Sequence, residues 1–139
     1  MSDDIVITVR VGDQVHEANL TAMFSADHSD PIKYAKLLSS TYAVWAEIKE
    51  QAQELLTAAK NALDLTRAHK RLELDAWYEQ RSMKPVGAKL EAQIMADSEV
   101  QQAIARHESA RHEHEQAKVV TQTMWFQRSL ITRDDGELR

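Results

Sequence analysis

The sequence predicts a mostly α-helical fold: a long, antiparallel, coiled-coil-like helical hairpin with a small N-terminal β-hairpin, assembled into an oligomer. Three observations predict it. Only three glycines and two prolines occur in 139 residues, and the middle of the chain is dominated by Ala, Glu, Gln, Lys, Arg and Leu, which suit long helices. From Pro31 to about Arg81 no residue breaks a helical pattern. Near the N-terminus, Ile5, Ile7, Val9 and Val11 alternate with Val6, Thr8 and Arg10, the period of two expected of a half-buried strand.

Three regions follow from this reading. Residues 1–29 hold the β-hairpin and a connector. Gly12-Asp13 suits a two-residue type II′ turn, which wants glycine first, and Val15 to Leu20 forms the return strand. A lone hairpin is marginal in water, so it must pack on a helix or pair with another chain. Thr21 to Ser29 carries only weak signals and is read as the connector. Residues 30–131 form the helical hairpin. Asp30-Pro31 marks its start, a capping carboxylate before a proline at the first helical position. Fifty residues of helix would extend about 75 Å, a length that suggests a coiled coil or bundle. Ser82 to Gly87, with Pro85 and Gly87, ends the first helix. A second helix follows from about Ala88 to Ile131, with Asp97 capping an internal restart and a kink near Ala96. Residues 132–139 form a charged, flexible tail.

The helical faces predict association. Leu38, Trp45, Ala52, Ala59 and Thr66 recur every seven residues, with Ile48, Leu55, Ala62 and His69 as the companion row. Leu56, Leu63 and Trp77 lie beside this seam, with Leu65 and Leu72 further round. One partner helix cannot cover so wide a stripe, so at least two neighbours are expected. Trp45, Ile48, Leu55, Leu56 and Leu63 are therefore assigned to oligomerisation, together with Ile5, Ile7 and Val9 of the β-hairpin, which pairs within or between subunits.

Composition narrows the function. The absence of cysteine excludes disulfides, thiolate nucleophiles and cysteine-ligated zinc. Met1-Ser2-Asp3-Asp4 lacks the basic start of a signal peptide, and no stretch approaches the roughly 20 apolar residues of a membrane span. A cytoplasmic, soluble protein without membrane contact is expected. No nucleotide-binding glycine loop and no nucleophile elbow occurs, so no enzyme and no cofactor are expected. His107, His112 and His114 crowd together, but their spacings of five, two and seven residues do not suit one ion on one helix. They read as seam histidines that hydrogen-bond across the helical hairpin, with some pH sensitivity.

Charge distribution is more telling than the net charge of −5. Residues 1–59 carry four basic and nine acidic groups, residues 60–90 seven and four, and residues 91–139 six and nine. The one positive stretch includes Arg67, His69, Lys70 and Arg71, then Arg81, Lys84 and Lys89 around the turn, with Trp77 and Tyr78 between them. Clustered cations beside aromatic rings suit single-stranded nucleic acid, whose phosphates meet Lys and Arg while its bases stack on rings. The competing reading is a solvated face with Trp77 in the core. Several copies would turn one modest patch into a multivalent one.

The order of parts from Lys33 to Ile131 resembles the UvsY-like recombination mediator proteins of tailed phages. The first helix begins K-Y-A-K-L-L-S-S-T-Y-A-V-W (Lys33 to Trp45) and runs into T-R-A-H-K-R-L-E-L-D-A-W-Y (Thr66 to Tyr78). After a polar turn come K-L-E-A-Q-I-M-A-D-S-E-V (Lys89 to Val100) and a closing T-Q-T-M-W-F-Q-R-S-L-I (Thr121 to Ile131). The likeness rests on order and spacing over about seven-tenths of the chain and leaves out the β-hairpin. It implies a ring-like homo-oligomer in the host cytoplasm. Such a protein binds single-stranded DNA, acts on DNA covered by single-strand-binding protein and helps load a RecA-type recombinase. The DNA-contacting role would then fall on Arg67, Lys70 and Arg71, with Lys60, Arg81 and Lys84. Without the resemblance, the same stripes and acidity serve a coiled-coil scaffold or adaptor, such as a phage assembly component, that touches only protein.

Overall fold

Strand and helix order follows the polar–apolar pattern closely. The computed structural model describes residues 3–24 and 31–137. It is mostly helical, with a two-stranded antiparallel sheet at its N-terminus. Strands β1 (Val6–Val11) and β2 (Gln14–Asn19) are followed by α1 (Leu20–Phe24), α2 (Pro31–Gln80), α3 (Gly87–Ala96) and α4 (Ser98–Glu137). Among the described residues, no helix is long and apolar enough to cross a membrane. The chain divides into two compact units, residues 1–54 with 112–139 and residues 55–111. Helix α2 contributes its first half to one unit and its second half to the other.

In the first unit, Val11 pairs with Gln14 and Val9 with His16 across the sheet. Gly12 takes a φ of +61° while Asp13 stays at negative φ, as the expected II′ turn requires. Ile7, Val9 and Val11 turn inward with Ala18 of β2, against Tyr34, Leu38, Trp45, Ile48 and Ala52 of α2 and Ala117, Val120 and Met124 of α4. Val9, Ala117 and Val120 are wholly buried.

This corrects the expected use of these side chains. Val9, Trp45 and Ile48 are core residues of their own chain, so they are not free to hold another. Ile7 packs against the same core. Leu63 is buried as well and Leu56 half-buried, whereas Ile5 and Leu55 remain exposed. The period-seven pattern marks a face that must be covered but does not say by which chain.

Two further details differ from expectation. The connector begins with a helix, because the Asn19 side-chain oxygen accepts the Ala22 backbone N–H at 2.9 Å and caps α1. Tyr34 then donates its hydroxyl to the Met23 carbonyl at 2.7 Å, and burial raises its pKa. The proposed Asp30 cap lies outside the described residues. At the other end of the chain, α4 continues past Ile131 to Glu137.

In the second unit, α2 ends one turn before Pro85. Ser82 adopts φ +54°. The Met83 N–H donates to the Tyr78 carbonyl at 3.0 Å and the Ser82 N–H to the Glu79 carbonyl at 3.0 Å. This is a Schellman ending with serine where glycine is usual. Gly87 does not close α2 but opens α3. The restart occurs where expected: Asp97 separates α3 from α4, and its Oδ1 accepts the backbone N–H groups of Glu99 and Val100 at 3.0 and 3.2 Å. Tyr78, Leu90, Ile94 and Val100 form this unit's buried cluster, with Leu74 and Ile104 packed against it.

Candidate nucleic-acid interface

All eight residues assigned to DNA fall in the second unit, on α2 and the turn after it, but they occupy different environments. Lys60, Arg67 and Arg81 are exposed. Lys60 and Arg67, seven residues apart, share one face of α2, about 10 Å apart at 1.5 Å per residue, and Arg81 follows just past its last residue, Gln80. Arg67 reaches across to the Met95 sulfur, with Nη2 at 3.6 Å. The Arg81 guanidinium lies 3.9 Å from the Trp77 ring centroid and donates to the Trp77 carbonyl at 3.1 Å. Trp77 is 44% exposed, so the pair presents an aromatic ring and a planar cation to solvent. Lys84 extends the positive surface beyond the helix end and is exposed too.

Three of the eight are engaged elsewhere. Tyr78 is buried, donates its hydroxyl to Gln93 Oε1 at 2.8 Å and meets the Trp77 ring edge-on, with centroids 4.9 Å apart. Its ring therefore belongs to the core and cannot stack on a base. Lys70 sits 2.9 Å from Asp97 Oδ2 and 3.6 Å from Glu73 Oε2. The hydrogen bond to Asp97 raises the lysine pKa, and in return the Lys70 ammonium, then the Val100 amide, lower that of Asp97. Arg71 lies 3.5 Å from Glu91, both more than half exposed, a pairing of little strength in water. Glu73 is a same-face neighbour of Lys70 three residues on. Asp97 and Glu91 lie 27 and 20 positions from their cations, beyond any local pattern, and the sequence marks Asp97 only as a cap.

Beside these groups lie two clefts within the second unit. One of about 140 Å³ is lined by Thr66, His69, Lys70, Glu73, Asp97 and Glu99. The other, of about 360 Å³, lies among Ala59, Ala62, Thr66, Glu99, Gln102, Ala103 and Arg106. The first mixes cation and carboxylates; the second has a floor of small side chains.

The histidines depart from expectation. Among the described residues, His114 Nε2 is buried with no hydrogen-bond partner, as is that of His16 in β2. His16 instead sets its ring edge-on to Trp45, centroids 6.2 Å apart. His107 is half-buried and His112 exposed. Among the described residues, no group of three or more histidine or acidic side chains is arranged to hold a metal ion. Comparison of the chain with protein-family models, with curated proteins and with solved structures finds no match.

Proposed function

We propose that this protein is a non-enzymatic accessory of DNA recombination that binds single-stranded DNA as a homo-oligomer and helps a RecA-type recombinase onto DNA covered by single-strand-binding protein. One observation carries the DNA part: the exposed row Lys60, Arg67 and Arg81, ending in the Arg81–Trp77 stack. Phosphates follow the cations, and a base stacks at the Trp77–Arg81 end, a contact worth about 1–3 kcal/mol. Lys70 and Arg71 play a smaller part in this reading, because phosphate has to compete with Asp97 and Glu91. The recombinase and the single-strand-binding protein enter through the resemblance alone.

The fold belongs to the same reading. Along the two clefts, α2 positions fall from Glu73 to Ala59 while α4 positions rise from Glu99 to Arg106, which supports antiparallel, coiled-coil-like pairing in the second unit. A protein-only scaffold is the second reading, favoured by the ion pairs of Lys70 with Asp97 and Glu73 and of Arg71 with Glu91, which spend part of the basic stretch on the chain's own carboxylates.

Titration of labelled single-stranded oligonucleotide at 50 and 200 mM salt decides between the two. About four phosphate contacts on a single strand give a logarithmic salt slope near −2.8, so affinity should fall roughly 50-fold. The Lys60→Ala/Arg67→Ala/Arg81→Ala variant should flatten that slope without loss of helicity. No binding at the lower salt would leave the scaffold reading in place.

A further inference from the structure

The wide apolar stripe calls for two neighbours along α2, and the chain supplies cover for only part of it. In the second unit Leu63 is buried, yet Leu65 and Leu72 are 58% and 66% exposed. Ala58 and Ala68 are exposed on the same face, giving the sequence positions 58, 65 and 72 with 68 between, the spacing of a coiled-coil seam. Charge flanks it in a pattern that is self-complementary. Asp64 and Arg71, seven residues apart, lie on one side of the stripe, and both are exposed. Asp64 has no ion-pair partner among the described residues, and Arg71 has only its loose contact to Glu91.

We infer that Ala58, Leu65, Ala68 and Leu72 of α2 form a self-association face, on which a second copy of this chain docks antiparallel about a two-fold axis passing between Leu65 and Ala68. The symmetry follows from the charges. A parallel pair in register sets Asp64 against His69 of the other copy and Arg71 against its Ala76, so neither charge meets a partner of opposite sign. An antiparallel pair sets Asp64 of each copy against Arg71 of the other, so one contact is made twice, as a two-fold interface requires. The same register seats each Leu65 beside the small Ala68 of the other copy, which lets the helices approach closely. A seam this narrow makes a weak, concentration-dependent dimer. It also gives one assembly two copies of the Lys60–Arg67–Arg81 row, on its outer faces. The inference rests on the self-association part of the proposed function and not on its DNA part.

Sedimentation velocity over a concentration series, without nucleic acid, tests it. The wild-type chain should shift from monomer toward dimer, and Leu65→Asp/Leu72→Asp should remain monomeric with an unchanged helical circular dichroism spectrum. Asp64→Arg and Arg71→Asp should each weaken the dimer roughly fivefold or more, because each replaces two attractive contacts by two repulsive ones. The double exchange Asp64→Arg/Arg71→Asp should restore association, an outcome the antiparallel register alone provides. A wild-type chain that stays monomeric at every concentration overturns the inference. So does association that survives Leu65→Asp/Leu72→Asp, or a double exchange no tighter than the singles. Because no DNA is present, none of these results bears on the oligonucleotide titration.

Discussion

The two units use one helix in opposite ways. Along the first half of α2, the period-seven residues Leu38, Trp45 and Ala52 are all buried, closed over by the β-hairpin and by α4. Further along the same row, Ala59 and Thr66 are half-exposed and line a cleft of about 360 Å³. The companion row behaves likewise: Ile48 is buried, while Leu55, Ala62 and His69 are exposed. The first unit buries an indole, which removes roughly 200 Å² from water, worth about 5 kcal/mol at 25 cal/mol/Å². The second has a smaller buried cluster, surface ion pairs and exposed leucines. A continuous seam in sequence thus becomes a packed core where a third layer covers it and an open face where none does. The packed half holds the fold, and the open half has surface to spare for partners.

The largest expected effect falls on the packed half. Trp45→Ala should cost about 3–5 kcal/mol, whereas Leu72→Ala should stay within about 0.5 kcal/mol for the monomer; urea unfolding at low protein concentration measures both. Equal losses would break the comparison, since they would mean that Leu72 is as well covered as Trp45.

A smaller effect of opposite sign sharpens it at the end of α2. Ser82 holds a left-handed conformation that favours glycine, so Ser82→Gly should stabilise the protein by about 1 kcal/mol. Thermal melting reads this as a rise in Tm. A fall would show that the serine side chain contributes something its backbone conformation does not explain.

The smallest effect concerns pH. Hydrogen bonding from Lys70, then the Val100 amide, lowers the Asp97 pKa. The carboxylate therefore contributes stability above its unfolded value of about 3.9, and that contribution is lost as pH falls through the lower folded value. The raised Lys70 pKa acts at the other extreme: its contribution is present below the unfolded value of about 10.4 and disappears as pH rises past it. Between these limits the pair is indifferent to pH. Asp97→Asn should remove the acid-side dependence that this carboxylate supplies, and urea midpoints measured from pH 2 to 7 check it. An unchanged acid profile would assign that dependence to other carboxylates.

Local chemistry was legible where it is written in neighbouring residues. Gly12-Asp13 specified the turn, alternation specified the sheet face that holds Ile7 and Val9, and Asp97 specified the restart of α4. The α1 cap at Asn19 was missed because a single capped turn carries no periodicity. The end of α2 falls where the Ser82–Gly87 segment predicts it, but Ser82 rather than proline or glycine makes the turn, where hydrogen bonds to Tyr78 and Glu79 stabilise a conformation that serine adopts reluctantly. For the candidate site, residue types and their crowding were visible, but the partners were not. Tyr78 entered the core, and Lys70 and Arg71 met carboxylates of other elements.

By itself, then, the sequence determined the kinds of elements, most of their limits and the presence of apolar stripes, because propensity, capping and periodicity act over a few residues. Only the tertiary structure decided which part of each stripe is covered within the chain and which cations remain open to solvent. Those outcomes depend on groups far apart in sequence meeting in space, and no local spacing encodes that.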